Sequence, residues 1–192
     1  DGSWTLTAAQ LSGLTITPPE NDSSDFSLTV TAIATEDDGD AESVVSSLDV
    51  TVTGVADTPS VTVNDASGNE DAAISLDISA ALADTDGSET LSIVISGVPD
   101  GADLSAGTDN GDGSWTLTAA QLSGLTITPP ANDSDDFSLT VTTTATEADG
   151  DAESVVSTLD VAVTGVADTP NVTVNDASGN ERSEEHTSEL QS

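Results

Sequence analysis

The stretch DGSWTLTAAQLSGLTITPP stands at residues 1–19 and returns unchanged at 112–130, an offset of 111 residues. The correspondence continues beyond the motif. Residues 1–70 align without a gap to 112–181 and are identical at 62 of 70 positions. The eight differences are Glu20/Ala131, Ser24/Asp135, Ala32/Thr143, Ile33/Thr144, Asp37/Ala148, Ser47/Thr158, Thr51/Ala162 and Ser60/Asn171. A repeat of this length holds enough residues to bury its own core, so the chain reads as an array of domains and not as a short-period solenoid. It begins and stops in mid-repeat and carries no Met, which reads as a fragment of a longer protein.

Within one repeat the apolar residues alternate with polar ones, the pattern of half-buried strands. In the first copy, Trp4–Thr7, Leu14–Thr17, Phe26–Thr31 and Val44–Thr53 show it. Between them come a short turn at Ala8–Gly13 and a stop at Pro18-Pro19, since proline cannot donate to a ladder. The junction Gly54-Val55-Ala56-Asp57-Thr58-Pro59 returns at Gly165–Pro170. Boundaries follow: 1–55 is the back half of a repeat, 56–166 a complete one, and 167–181 the start of the next. In the complete repeat the strand candidates are Ser60–Val63, Ala73–Ser79, Thr90–Ser96, Asp103–Ala106, Trp115–Thr118, Leu125–Thr128, Phe137–Thr146 and Val155–Thr164. Short strands separated by turn residues, with no sustained helical period, make the expected fold all-β, a β-sandwich per repeat. Trp115 and Phe137 are expected as core anchors.

After Glu181 the repeat calls for Asp-Ala-Ala-Ile-Ser-Leu, yet the chain reads RSEEHTSELQS. That tail resembles, residue for residue, a frame translation of a common DNA-sequencing adapter. Residues 182–192 are therefore set aside as non-native. They contain the only Arg and the only His; without them the chain has 33 acidic and no basic side chains. So acidic a surface repels phosphate backbones, which excludes nucleic acid as a partner. No apolar run approaches the roughly 20 residues of a membrane span, so no membrane insertion is expected. There is no cysteine for disulfides or thiolate metal sites. An exported bacterial protein, secreted or at the cell surface, suits this composition.

The acids of the complete repeat gather in NDASGNED (64–71), DTDGSE (84–89), TDNGDG (108–113) and EADGDAES (147–154). Each is expected as a loop between strands, with glycine beside Asp or Asn. Calcium takes about six to eight oxygen ligands, commonly carboxylates and carbonyls from a turn. Asp84, Asp86 and Glu89 fit this, as do Glu147, Asp149 and Asp151, with Glu36, Asp38 and Asp40 their counterparts in the first copy. Like charges ~4 Å apart cost about 1 kcal/mol even in water, and no Lys or Arg offsets them. The expected cofactor is thus Ca²⁺, held in loops of a sandwich; EF-hand and β-roll spacings are absent. If the strands around 73–79, 90–96, 137–146 and 155–164 are the B, C, F and G strands of a sandwich, loops 84–89 and 147–154 share a pole with the junction at Ala56–Pro59. An ion there would tie both loops to the linker, with Asp57 beside it.

The junction GVADTP, the segment NEDAAISLDISAALADTDGSETLSIVISGVPDGA, the NGDGSWTLTAAQLSGLTITPP block and the ATEADGDAES loop resemble the tandem extender repeats of large bacterial RTX-type adhesins. The resemblance implies Ig-like or cadherin-like domains exported by type I secretion, forming a Ca²⁺-stiffened stalk for adhesion or biofilm formation. It implies calcium roles for Glu70 of NED and for Asp84 and Asp86 of DTDG. The partners expected are neighbouring repeats of the same chain, with host-cell, surface or glycan contact made by modules outside 1–181. Other readings are a glycan- or cell-binding module and the non-catalytic stalk of a secreted polysaccharide-degrading enzyme. An enzyme is not expected, because the acids sit in turns with no basic residue or aromatic subsite beside them.

Overall fold

The computed structural model describes residues 2–181; the tail 182–192 lies outside them. Thirteen strands follow in chain order: β1 (Phe26–Thr35), β2 (Ala41–Val50), β3 (Ser60–Asn64), β4 (Ala66–Asn69), β5 (Ile74–Ser75), β6 (Asp77–Ala81), β7 (Glu89–Ser96), β8 (Asp103–Leu104), β9 (Thr108–Asp109), β10 (Ser114–Leu117), β11 (Thr126–Thr128), β12 (Phe137–Glu147) and β13 (Ala152–Thr164). Among the described residues the helical content is two 3₁₀ turns, Ala8–Leu11 and Ala119–Leu122. Each is capped by a reciprocal Thr–Gln box, Thr7 with Gln10 and Thr118 with Gln121. No helix among the described residues is long and apolar enough to cross a membrane.

Residues 60–164 form an all-β body whose sheets are arranged as a β-sandwich. One sheet runs β4-β13-β12-β7-β10-β9, antiparallel except for the parallel β4–β13 pair. The facing layer combines β3–β6 with β5–β11–β8. Leu76 separates β5 from β6, but its N–H donates to the Leu125 carbonyl (2.9 Å), so the two are one interrupted strand. Between the layers lie Ile93, Ile95, Leu139, Val141, Leu159 and Val161 from the first sheet and Ile74, Ile78, Leu104 and Ile127 from the second. Alternation puts them there. Along β12, Leu139, Val141, Thr143, Ala145 and Glu147 point inward while the intervening threonines and Ala145's neighbours point out. That inward row ends on a carboxylate.

The turn chemistry also differs from the sequence reading. NDASGNED is not a loop. The chain leaves one layer at Asn64 and enters the other at Ala66, pivoting on Asp65, whose Oδ1 accepts from the Asp160 N–H (3.0 Å). Small residues make β4 hard to read as a strand, and they are required there. A Cβ on Gly68 would lie 2.6 Å from Ile74 Cγ1. TDNGDG contains β9 and closes as a tight hairpin with Gly111 and Gly113 in the left-handed region. EADGDAES and DTDGSE shrink as well, because Glu147 is the last residue of β12 and Glu89 the first of β7.

The first copy repeats the local geometry of the second at the same offset. Phe26 faces Val50 as Phe137 faces Val161, and the Val52 N–H bonds to Asp25 Oδ1 (2.8 Å) as Val163 does to Asp136 (2.7 Å). Ser27 and Ser138 bond to Asp49 and Asp160 in the same way. Trp4–Thr7 and Leu14–Thr17, expected as strands, form no ladder. Their counterparts Trp115 and Ile127 pair with Ile95 and Ile74, whereas no strand among the described residues pairs with Trp4 or Ile16. Trp4 is 88% exposed in consequence. Trp115 and Phe137 are half-buried and pad the rim of the core instead of anchoring its centre.

Two substitutions test the packing. Thr143 is fully buried and its Oγ1 has no hydrogen-bond partner, whereas the first copy has Ala32 there. Thr143→Val keeps the shape and removes the orphaned hydroxyl, and should stabilise by about 1 kcal/mol in denaturant melts. Gly68→Ala should cost about 1–3 kcal/mol by forcing a methyl group into Ile74.

Candidate functional site

The ends of β12 and β7 meet at one pole of the sandwich. Glu147 and Glu89 are Cα partners across the two strands, and both belong to the inward-facing rows. Each is only 6% exposed, and Asp84, from the loop that leads into β7, is 3% exposed. Like charges directly opposite on neighbouring strands are destabilising, and a buried charge needs a partner. No Lys or Arg exists in residues 1–181 to supply one. What the fold supplies is dipoles. The Ser88 hydroxyl lies 3.3 Å from Asp84 Oδ2 and 3.4 Å from Glu147 Oε1. It has one proton, so it satisfies one of them at a time. Glu89 Oε1 accepts from the Asp57 N–H (2.7 Å), but its buried Oε2 has no partner.

The linker closes over this pole. The Ala56 N–H donates to Asp151 Oδ2 (2.9 Å), and Gly54, Ala56 and Pro59 are buried. Asp57 of the linker, Asp84 of the 82–88 loop, Glu89 at the start of β7, and Glu147 and Asp151 on either side of the turn that follows β12 thus lie at one junction. The pairing of loops 84–89 and 147–154 with Ala56–Pro59 follows from strand parity: β12 ends, and β7 and β13 begin, on that side.

The other candidates are placed differently. Asp86 is exposed while Asp84 is buried, so the Asp-x-Asp pair is split between surface and interior. Asp84 Oδ1 accepts from the Asp86 N–H (2.8 Å), and Asp86 Oδ1 in turn from the Ser88 N–H (2.7 Å). Asp149 Oδ1 accepts from the Asp151 N–H (3.2 Å) and stays in the turn. Glu36, Asp38 and Asp40 make the same turn in the first copy, where all three are exposed. Glu70 lies at the opposite pole, 9% exposed, where its Oε1 accepts from the Val166 N–H (2.6 Å). Its own N–H bonds to the Thr164 carbonyl (3.0 Å) at the end of β13. Among the described residues no three acidic side chains are drawn together as a ready-made metal cage.

Ser88, Gly54 and the Ala56 amide are absent from the residues that sequence reasoning singled out. The recurrence of the whole GVADTP block was the available signal, since a linker free of contacts does not need its sequence repeated. No known protein family and no curated protein matches the chain.

One carboxyl carries an electrostatic signature that the geometry also shows. Hydrogen bonds from the Ser114 hydroxyl (2.6 Å) and N–H (3.0 Å) hold Asp112 below the usual carboxylate range. A depressed folded-state pKa stabilises the turn above the unfolded value, and that contribution is lost as pH falls through the folded one. The Asp112 carboxyl should therefore titrate below an ordinary aspartate in an NMR titration. Ser114→Ala should move it back up, by removing the larger cause.

Proposed function

We propose that residues 1–181 are tandem Ig-like or cadherin-like repeats with a 111-residue period, serving as a calcium-stiffened spacer of a secreted or surface-anchored bacterial adhesin. The observation that carries this reading is the pole of three buried carboxylates. Asp84, Glu89 and Glu147 are buried at this pole with no cationic side chain in residues 1–181, Glu147 lies opposite Glu89 across two strands, and Glu89 Oε2 is left without any partner. Hard oxygen donors in excess of available protons are the chemistry of a Ca²⁺ site. Asp84, Glu89, Glu147 and Asp151 would hold the ion, with Asp57 from the linker. Bound there, the ion would supply the missing positive charge and cross-link two loops to the incoming chain.

The repeat supports a spacer role. Duplicating a domain with 62 of 70 aligned positions unchanged lengthens a stalk, while it adds little to a single recognition site. The carboxylates lie at the ends of the sandwich, where successive units meet, and not on its exposed sides. Target binding is assigned to modules beyond these repeats.

Ca²⁺ at millimolar concentration should raise the melting temperature of the chain clearly above its value in chelator; at a free concentration 100 times Kd, linkage gives about 2.7 kcal/mol. Superimposable melts would end the calcium reading. Glu147→Gln separates the two contributions. In chelator it relieves the facing charges and should melt higher than the parent, whereas most of its calcium response should disappear. A blank glycan array is also expected, and a dose-dependent hit would move the function from spacer to binding module.

A further inference from the structure

We infer that Gly54 is the positioning residue of the repeat junction, and that it acts through the side chain it lacks. Its backbone is not in the left-handed region, so no turn requires glycine there. What requires it is Glu147. A Cβ on Gly54 would lie 2.8 Å from Glu147 Cδ, 2.8 Å from Oε2 and 3.1 Å from Cγ, closer than atoms pack. To admit that Cβ the Glu147 side chain would have to swing aside from its place. It is the inward-facing end of β12, fixed by register opposite Glu89, and its carboxylate lies within reach of Ser88. The bare backbone of the linker therefore seats against a carboxylate of the following repeat. That seating brings the Ala56 and Asp57 amides to Asp151 and Glu89.

The chain contains its own control. Gly165 occupies the same place in the second GVADTP block, and the described residues after it, up to 181, form no strand. A Cβ there meets only Ser134 at 3.5 Å and Glu70 Oε1 at 3.6 Å, ordinary contact distances. Gly54 and Gly165 have the same neighbours in sequence and different ones in space. Local sequence effects are thus common to both, and what separates them is their surroundings, Glu147 packed against the buried Gly54 and Ser134 and Glu70 at looser distance from the exposed Gly165.

The inference rests on the reading of 1–181 as tandem units but not on calcium, so it is tested in chelator. The full chain has no cysteine, which makes spin labels at Thr31→Cys and Thr158→Cys, both exposed positions, unique. Pulsed dipolar spectroscopy should give a broader distance distribution for Gly54→Ala than for the parent, and no change for Gly165→Ala. Hydrogen exchange gives a second readout: protection of the Ala56 and Asp57 amides should fall about tenfold in Gly54→Ala alone. The main melting transition should stay in place in both variants, since neither glycine belongs to the core. An unaltered junction in Gly54→Ala, or equal loosening in Gly165→Ala, would overturn the inference. Failure of the calcium reading alone would show as an absent calcium shift with the glycine asymmetry intact.

Discussion

The structure depends on how it disposes of negative charge that has no positive side chain to meet it. A domain with both signs can bury a carboxylate beside an arginine. Here the partners are backbone N–H groups and a few hydroxyls, which offer partial charges fixed in direction. Glu70, Glu89 and Asp151 each take an amide of a linker. These carboxylates sit where the sandwich ends, and the chain that enters or leaves brings N–H groups to them there. Charge and connectivity are consequently coupled. The linker is held because the pole is acidic, and the pole can be acidic because a linker covers it.

The strand rows make the same point from the inside. β12 carries Leu139, Val141, Thr143 and Ala145 toward the core before it reaches Glu147. β7 runs outward from Ile95 and Ile93 to Glu89. Had both rows ended on apolar residues, the pole would have been a hydrophobic cap, open to any exposed apolar edge. Ending on opposed acids confines the pole to partners that bring N–H donors or a cation, a form of selection by repulsion.

Much of this was legible in the sequence, and the misses have physical causes. Alternation located β7, β12 and β13 because each has one face against the core, and period-two patterns report that directly. It failed on β4, whose Ala66-Ser67-Gly68-Asn69 has no large apolar residue to report; its place is set by Ile74 filling the space above Gly68. It also assigned strands to Trp4–Thr7 and Leu14–Thr17, which carry the pattern but pair with no strand among the described residues. The acidic loops were found by composition, but composition does not say which acids turn inward. Glu89 and Glu147 read as loop residues because acids rarely occupy core-facing strand positions. Their role follows only from parity along strands whose ends the sequence leaves uncertain. Gly54 was legible only as part of a repeated block, since a glycine needed for close approach looks the same as one needed for a turn.

The parallel pairing of β4 with β13 has a mechanical meaning. The chain enters the sandwich above β4 and leaves it below β13, and both strands run in that direction. Drawing the two ends apart pulls β4 one way and β13 the other, along their shared axis. The pairs from Val161↔Ala66 to Thr164↔Asn69 are then loaded side by side in shear, not opened one after another as in a peeled hairpin. The entering chain passes through the β3–β6 ladder on its way to β4, so two short ladders, β3–β6 and β4–β13, stand between a pull on the ends and the long β12–β13 pairing.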